Sequence, residues 1–249
     1  MRTGMPSPRI PAHRTAFGFQ WDPSKLALPE TREPDTRRSV WRAKKIFADI
    51  IHDITSLEGN TFTVPEIQTL LEGITVGGRK ISEAEQVINQ KDSLLLLFKL
   101  VESGTFALSP EVGEQLQALA AKGEALEEGV FRNGKVTISG TSYLPPEGNN
   151  LREQFETMAD CAKTITNPFE RGMAAFLYVA RTQCFWDGNK RTGRLLMNGI
   201  LLAAGQDIIT VPATKALEFN QKMIRFYEQG DGTEMMVFLS GLQIRNKFE

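Results

Sequence analysis

The sequence predicts an all-α protein that carries one β-hairpin. Apolar residues recur at three- and four-residue spacing through most of the chain after residue 39, and this spacing marks the buried face of a helix. Only residues 131–139 alternate in short segments around an Asn-Gly pair, the signature of a hairpin. The composition is that of an ordinary globular chain, with 249 residues, 41% hydrophobic and 24% charged.

Each element has its own local signal. The first helix is predicted from Val40 to Leu57, and Gly59 suits the left-handed position that ends a helix. Thr63 as N-cap and Pro65 in the first turn open a short helix, Val64 to Leu71. The same apolar spacing predicts the further helices Ser82–Ser103, Ser109–Glu128, Asn150–Thr164, Pro168–Thr182, Lys190–Ala204, Thr214–Gln229 and Thr233–Asn246.

The chain divides by composition into three parts. Residues 1–38 are rich in Pro and Arg with little periodicity, so we expect an extended arm that lies on the body or is partly disordered. Residues 39–105 are expected to form an N-terminal helical region, and residues 106–249 the core domain.

Composition also excludes several classes of function. The net charge of −1 gives no support for binding nucleic acid or a membrane surface. No apolar run reaches membrane-spanning length, and Met1–Arg14 lacks the apolar core of a secretory signal. The two cysteines, Cys161 and Cys184, form neither a disulfide framework nor a metal cluster, so we expect a reducing, cytoplasmic setting.

The most informative stretch runs from Gln183 to Arg194, at the start of an apolar helix. Lys190, Arg191 and Arg194 place cations in the first turns of that helix. The helix N-terminus carries positive partial charge and disfavours each cation by up to about 1 kcal/mol. An anion held in the same place would offset that cost.

The residue types around these cations suit a phosphate site. Asp187-Gly188-Asn189 is a turn tripeptide whose successive N–H groups can point at one spot. Arg191 and Arg194 share a helix face, and guanidinium groups bind phosphate oxygens in pairs. Asp187 would add the oxygen ligand that Mg²⁺ needs when it bridges phosphates. Spacing alone leaves open an alternative, a polar turn whose arginines pair with structural carboxylates.

This stretch resembles the signature of the Fic family, His-x-Phe-x-Asp/Glu-Gly-Asn-Gly/Lys-Arg-x-x-Arg. The resemblance implies a Fic-type helical bundle with one β-hairpin flap, and transfer of AMP from ATP to a hydroxyl group of a target protein. A few members of the family transfer other phosphate-containing groups. The positions that fit the signature are Phe185, Asp187, Gly188, Asn189, Lys190, Arg191 and Arg194.

The resemblance also implies a role for each matching polar residue. Asp187 would bind Mg²⁺. Gly188, Asn189 and Arg191 would form the anion hole for the α- and β-phosphates, and Arg194 would hold the γ-phosphate of ATP.

Two positions of the motif bear on what is transferred and how fast. Lys190 counts among the nucleotide-binding positions but stands where most members have Gly, which leaves open whether AMP is the transferred group. Gln183 stands where the family has its general base, His. An amide has no useful basicity near neutral pH, and general-base catalysis is worth roughly 3–5.5 kcal/mol of barrier. His13 lies in the arm and His52 on the first helix, so neither is an evident replacement.

Three interpretations therefore stay open. The first is a protein adenylyltransferase weakened by Gln183. The second is a catalytically inactive nucleotide-binding protein that regulates or binds a partner. The third is a purely structural helical protein whose basic helix end is filled by its own carboxylates. An engineered substitution at Gln183 is not excluded by the sequence.

A second motif lies upstream of the core. Residues 54–61 resemble the family's inhibitory motif, [Ser/Thr]-x-x-x-Glu-Gly/Asn, with Ile54 departing from its first position. The resemblance pairs Glu58 with Arg194, where a carboxylate competes with the γ-phosphate for one guanidinium group. The alternative is a plain helix C-terminus with a solvated glutamate.

The predicted hairpin supplies the last expectation. Residues 134–141, called here the flap segment, resemble the family's flap, which adds the target protein's backbone as a strand. The alternative is an ordinary surface hairpin. The tail from Phe219 to Leu242 resembles the helices beside the adenine pocket, with Asn220 where relatives often carry Tyr. The expected target-binding residues of the flap segment are Val136, Thr137, Ile138, Ser139 and Gly140.

The sequence leaves open whether the protein forms a homodimer.

Overall fold

The computed structural model describes residues 16–242, and most of that range is helical, which confirms the all-α prediction. The predicted helix Val64–Leu71 has the expected bounds, and its N-cap Thr63 exchanges hydrogen bonds with Glu66 in a capping box. Within the described range the α-helices are α1 Thr36–Lys45, α2 Phe47–Ser56, α3 Val64–Leu71, α4 Ile81–Glu102, α5 Pro110–Ala120, α6 Leu151–Ala162, α7 Pro168–Thr182, α8 Asn189–Ala203, α9 Ala216–Gln229 and α10 Thr233–Ser240.

The predicted single helix from Val40 to Leu57 is two helices. The backbone leaves helical geometry at Ile46, with φ −114° and ψ 30°, and α2 begins at the next residue. The first of the two starts earlier than predicted because the side chain of Asp35 accepts a hydrogen bond from the N–H of Arg38 at 2.8 Å. Apolar periodicity runs through the break because both helices face one core.

The helix predicted from Ser109 to Glu128 ends at Ala120. Gly123 then takes a positive φ of 74°, which a helix cannot hold, and its N–H donates to the side chain of Glu128 at 2.6 Å. The predicted end of the last helix, Asn246, lies outside the described residues.

The predicted hairpin is not formed. A tight Asn-Gly hairpin turn needs positive φ at both central residues, and neither Asn133 nor Gly134 has one. Phe131 instead makes an isolated antiparallel bridge with Phe185, and residues 132–145 form no strand. The side chain of Arg132 explains the difference, because it hydrogen-bonds the carbonyl of Gly134 and so ties the turn to the body.

The centre of the core is the antiparallel pair α7 and α8. Nearly every residue of α8 is buried, and Gly193 allows the two helices to approach closely. A Cβ at Gly193 would lie 3.0 Å from the backbone oxygen of Phe176 on α7. The helix α4 packs against α2, α5 and α8, so the N-terminal region surrounds the helix that carries the cations.

The described part of the arm lies on this body. Phe17 and Trp21 are each only 1% exposed, and the indole of Trp21 donates to Glu170 at 2.8 Å. Gln20 pairs with Asp231 in an isolated parallel bridge. His13 lies outside the described residues. The division at residues 38 and 105 stays a prediction.

Within residues 16–242 no helix combines the length and the apolar character necessary to span a membrane.

Candidate functional site

The motif loop joins α7 to α8 in a tight, buried turn. Helix α7 ends at Thr182, and its C-cap Gln183 takes the left-handed conformation with φ 52° and ψ 62°. The side chain of Asn189 then bridges the loop, because it accepts from the N–H of Phe185 at 2.9 Å and donates to the Phe185 carbonyl at 2.8 Å. Asn189 therefore shapes the loop with its side chain, and only its backbone N–H faces the helix entrance.

Gly188 allows the motif loop to lie close to the end of α5 just before α8 begins. Its φ is 73°, and a Cβ at this position would lie 2.6 Å from the Cβ of Ala121. Only glycine fits both constraints. The first N–H groups of α8 have no partner inside the helix, so they point out of its N-terminus toward any bound anion.

Arg191 is held by the loop that follows α5. Its guanidinium group donates to both carboxylate oxygens of Glu124, at 2.8 and 2.7 Å, and to the carbonyl of Ala120 at 2.8 Å. Burial alone would lower the pKa of Arg191, but Glu124 raises it above its usual value. The side chain of Arg191 is only 4% exposed, whereas that of Glu124 is 34% exposed. The carboxylate therefore has room to leave, and the guanidinium does not.

Arg194 meets Glu58, at the C-terminal end of α2. One carboxylate oxygen of Glu58 lies 3.1 Å from Nη2 of Arg194, and the other lies 3.3 Å from Nζ of Lys190. Burial raises the pKa of Glu58, but the charges of Lys190, Arg194 and Arg191 outweigh it and lower the pKa. The glutamate is therefore ionised and bridges two motif cations.

Arg194 nevertheless keeps unused donors. Its Nε and Nη1 atoms are buried and have no hydrogen-bond partner among the described residues. Buried donors of this kind carry a free-energy cost of about 1–3 kcal/mol each unless a ligand satisfies them. The guanidinium group also lies 5.9 Å from the ring centroid of Phe219, on the tail that was predicted to flank the nucleotide. Asn220, beside it, is exposed.

At this entrance Asp187 offers one carboxylate, whose Oδ1 accepts a hydrogen bond from the N–H of Gly188. The side chain of Asp187 is 55% exposed, and its Oδ1 lies 3.6 Å from Nη2 of Arg191. Within the described residues, no group of three His, Cys, Asp or Glu side chains could hold a metal ion. Mg²⁺ is commonly bound by one or two carboxylates together with substrate phosphates and water, so Asp187 suits that use.

The position of the family's base holds an amide whose two ends are both engaged. Nε2 of Gln183 donates to the carbonyl of Ala180 at 2.6 Å, and its Oε1 accepts from Nδ2 of Asn189 at 3.1 Å. His52 is on α2, beside Asp53 at 3.8 Å. Burial raises the pKa of Cys184 to about 12, so this thiol is no base near neutral pH.

The flap segment presents an unpaired backbone. From Lys135 to Gly140 the backbone makes no hydrogen bond with any other described residue. Val136 and Ile138 are half-buried, whereas Lys135, Thr137 and Ser139 are exposed, which is the alternation of a strand without a partner.

Two site residues escaped the sequence reasoning. Glu124 falls inside the helix that was predicted to run to Glu128, where nothing in the spacing separates it from a solvated residue. Arg132 is 1% exposed, although a single arginine beside an Asn-Gly pair gives no sign of burial. Only the neighbouring Gly123, as a helix breaker, hinted that the chain turns back near Glu124.

Together, the fold and site define a class, namely helical proteins with a cluster of cations at the N-terminus of a buried helix. Residues 108–201 match the family model described as the Fic/DOC family. This part of the chain is therefore a Fic domain.

Known relatives agree with this assignment. The chain is 24% identical over 226 residues to the "Protein adenylyltransferase Fic" of Drosophila mojavensis, an alignment that covers 88% of this chain and 44% of that protein. The chain thus spans less than half the length of that relative.

Solved structures share the fold. A Fic-1 fragment from C. elegans superposes with a TM-score of 0.71 at 19% identity, covering 93% of this chain and 67% of that one. A Fic domain containing signaling protein from Bacteroides thetaiotaomicron superposes with a TM-score of 0.69 at 18% identity, covering 94% and 91%.

Proposed function

We propose that this protein binds ATP with Mg²⁺ and transfers AMP to a hydroxyl group of a target protein, at a rate lowered by Gln183 and restrained by Glu58. The observation that carries the proposal is the contact of Glu58 with Arg194 and Lys190 at the N-terminus of α8. An ionised carboxylate there occupies a place that suits a phosphate group. The relatives named as protein adenylyltransferases support the reaction.

The cradle divides the work among its residues. The backbone N–H groups after Gly188, together with Arg191, would hold the α- and β-phosphates of the substrate ATP. Nη2 of Arg194, which Glu58 now contacts, would take the γ-phosphate once Glu58 has moved away. Mg²⁺ held by Asp187 would neutralise phosphate charge during transfer.

Two carboxylates compete with the substrate for these cations. Glu58 lies against Arg194 and Glu124 lies against Arg191, so phosphates must displace both. Lys190 adds a second cation to Glu58, and this strengthens its hold on the site. The restraint by Glu58 is therefore expected to be strong in the resting protein.

A second candidate function has its own supporting observation. Both polar ends of the Gln183 amide are engaged with Ala180 and Asn189, so the side chain is not available to accept a proton. This favours a nucleotide-binding protein that engages a partner without modifying it. In both candidates the flap segment would bind the partner by adding its backbone as a strand. The cytoplasmic setting and the open question of a homodimer stay predictions.

Calorimetry with ATP·Mg²⁺ tests the shared premise of the two candidates. We expect weak binding by the wild type and at least about tenfold tighter binding by Glu58→Gly, because one buried charge-assisted contact no longer competes. Glu72→Gly is the matched control, since this exposed glutamate at the end of α3 lies away from the cations. If neither the wild type nor Glu58→Gly binds, the basic helix end is structural and both candidates fail.

A further inference from the structure

We propose that Arg132 is a positioning residue that joins the start of the flap segment and the chain beyond its end to the start of the catalytic motif. The inference rests on the proposed function in one respect, because the flap segment is taken as the surface that binds the target. The bracing itself is a property of the fold and is measured separately below.

Arg132 gathers carbonyl groups from three segments of chain. Its Nε donates to the carbonyl of Gln183, and its Nη2 donates to Thr182 at 3.1 Å and Pro146 at 2.6 Å. Its Nη1 donates to the carbonyl of Gly134. One guanidinium group thus joins the end of α7, the entry of the flap segment and the chain just after its exit.

The backbone beside Arg132 makes the same connection. The N–H of Arg132 donates to the carbonyl of Cys184 at 3.0 Å, and Phe131 pairs with Phe185 in the isolated bridge. The ring centroids of Phe131 and Phe185 lie 4.8 Å apart. The side chain and the backbone therefore clamp the same short stretch of the motif loop.

The charge of Arg132 argues against an ordinary structural salt bridge. None of its hydrogen bonds within the described residues goes to a carboxylate, and burial lowers its pKa. Arg42, also buried at 8% exposure, has the usual partner, Asp207 at 2.6 Å. A buried guanidinium group without a counter-ion is costly in free energy. Here carbonyl groups alone accept from its rigid set of N–H donors.

This arrangement has a consequence for binding. The flap segment has no backbone hydrogen bonds of its own between Lys135 and Gly140 within the described range, so its position depends on the anchored chain on either side and on the packing of Ile138 against the core. Gly134, its first residue, and Pro146, beyond its last, are the anchor points, and the carbonyls of both accept from Arg132. A target strand added there is thereby presented at a fixed distance from the side chain at position 183.

Proteolysis at one site measures the bracing without any catalysis. The side chain of Lys135 is 83% exposed, so a lysine-specific endoproteinase reaches it wherever the local backbone can open. We expect Arg132→Gln to raise the rate of cleavage after Lys135 by at least about tenfold. Arg42→Gln is the matched control, because it also removes a buried arginine but should leave this cleavage rate unchanged. Equal cleavage rates in the two variants would overturn the proposal.

A second variant covers the case in which Arg132→Gln does not fold. Arg132→Lys keeps the charge but cannot reach all four carbonyls, so it should also speed cleavage after Lys135, by an intermediate factor. In the Gln183→His, Glu58→Gly background it should slow the transfer of radiolabelled AMP to a lysate while the Kd for ATP changes less than about twofold. A loss of ATP affinity that parallels the loss of labelling would show a merely structural role. If the parent background binds no ATP, the proposed function fails, and the cleavage rate alone decides the role of Arg132.

Discussion

Restoring a base at position 183 is the most informative perturbation of this site. The structure accommodates Gln183→His at little cost, because one imidazole nitrogen can take over the donor bond to the Ala180 carbonyl, now 2.6 Å from Nε2. Asn189 loses its contact with Gln183 but keeps both bonds to Phe185. We therefore expect a stability change below about 1 kcal/mol, the size of one net hydrogen bond.

The gain in rate follows from the missing proton acceptor. General-base catalysis is typically worth ~100- to 10,000-fold, or roughly 3–5.5 kcal/mol of barrier. The assay is transfer of radiolabelled AMP from ATP to the protein itself and to a lysate. It compares the wild type, Gln183→His, Glu58→Gly and the double variant, with Gln183→Ala in the Glu58→Gly background as control.

The expected order of labelling separates the two defects. The double variant should label fastest, and Glu58→Gly alone should be slower by the factor that a base contributes. Gln183→His alone should stay slow, because Glu58 still occupies Arg194. Labelling by Glu58→Gly as fast as by the double variant would refute the reasoning, since another group would then have to accept the proton.

Three further predictions concern the groups around the cradle. Glu124→Gln removes the second competing carboxylate. Added to the Glu58→Gly variant, it should make ATP bind about three- to tenfold more tightly by calorimetry. Unchanged or weaker binding would mean that Glu124 holds Arg191 in its binding position. Gly188→Ala should lower the free energy of unfolding by about 1–3 kcal/mol in urea denaturation, because the added Cβ would need a positive φ and would meet Ala121, and an unchanged free energy would contradict this. The lowered pKa of Glu58 predicts stabilisation that is full above its unfolded pKa of 4.5 and is lost as the pH falls through the folded value. The Tm difference between the wild type and Glu58→Gln should therefore shrink between about pH 7 and about pH 3, and a constant difference would argue against the ion pair.

The helices were predictable from the sequence because apolar spacing is a local signal. Val64–Leu71 has the predicted bounds, since its capping box and Pro65 are local as well. The break at Ile46 was not predictable, because the apolar face continues through it. The hairpin prediction was wrong because an Asn-Gly pair forms a tight turn only when its backbone is free to do so. Here the carbonyl of Gly134 accepts a hydrogen bond from the side chain of Arg132.

The candidate site divides in the same way. The cations at the start of α8 could be found from their spacing, and the fixed frame from Gln183 to Arg194 pointed to the family. The partner of Arg191 could not be found, because Glu124 reaches it only after α5 ends early and the chain turns back. The pattern of apolar spacing does not show where a helix ends, so it cannot predict a contact such as Glu124 with Arg191 that depends on that end.

The most direct test of the central claim is a crystal structure of the Glu58→Gly protein grown with ATP and Mg²⁺. The claim predicts phosphate oxygens on Nη2 of Arg194, which the loss of Glu58 frees, and on Arg191, with the metal against Asp187 and Glu124 moved away from Arg191. A nucleotide bound elsewhere would contradict it, as would an empty cradle at saturating ATP with Arg191 still paired to Glu124.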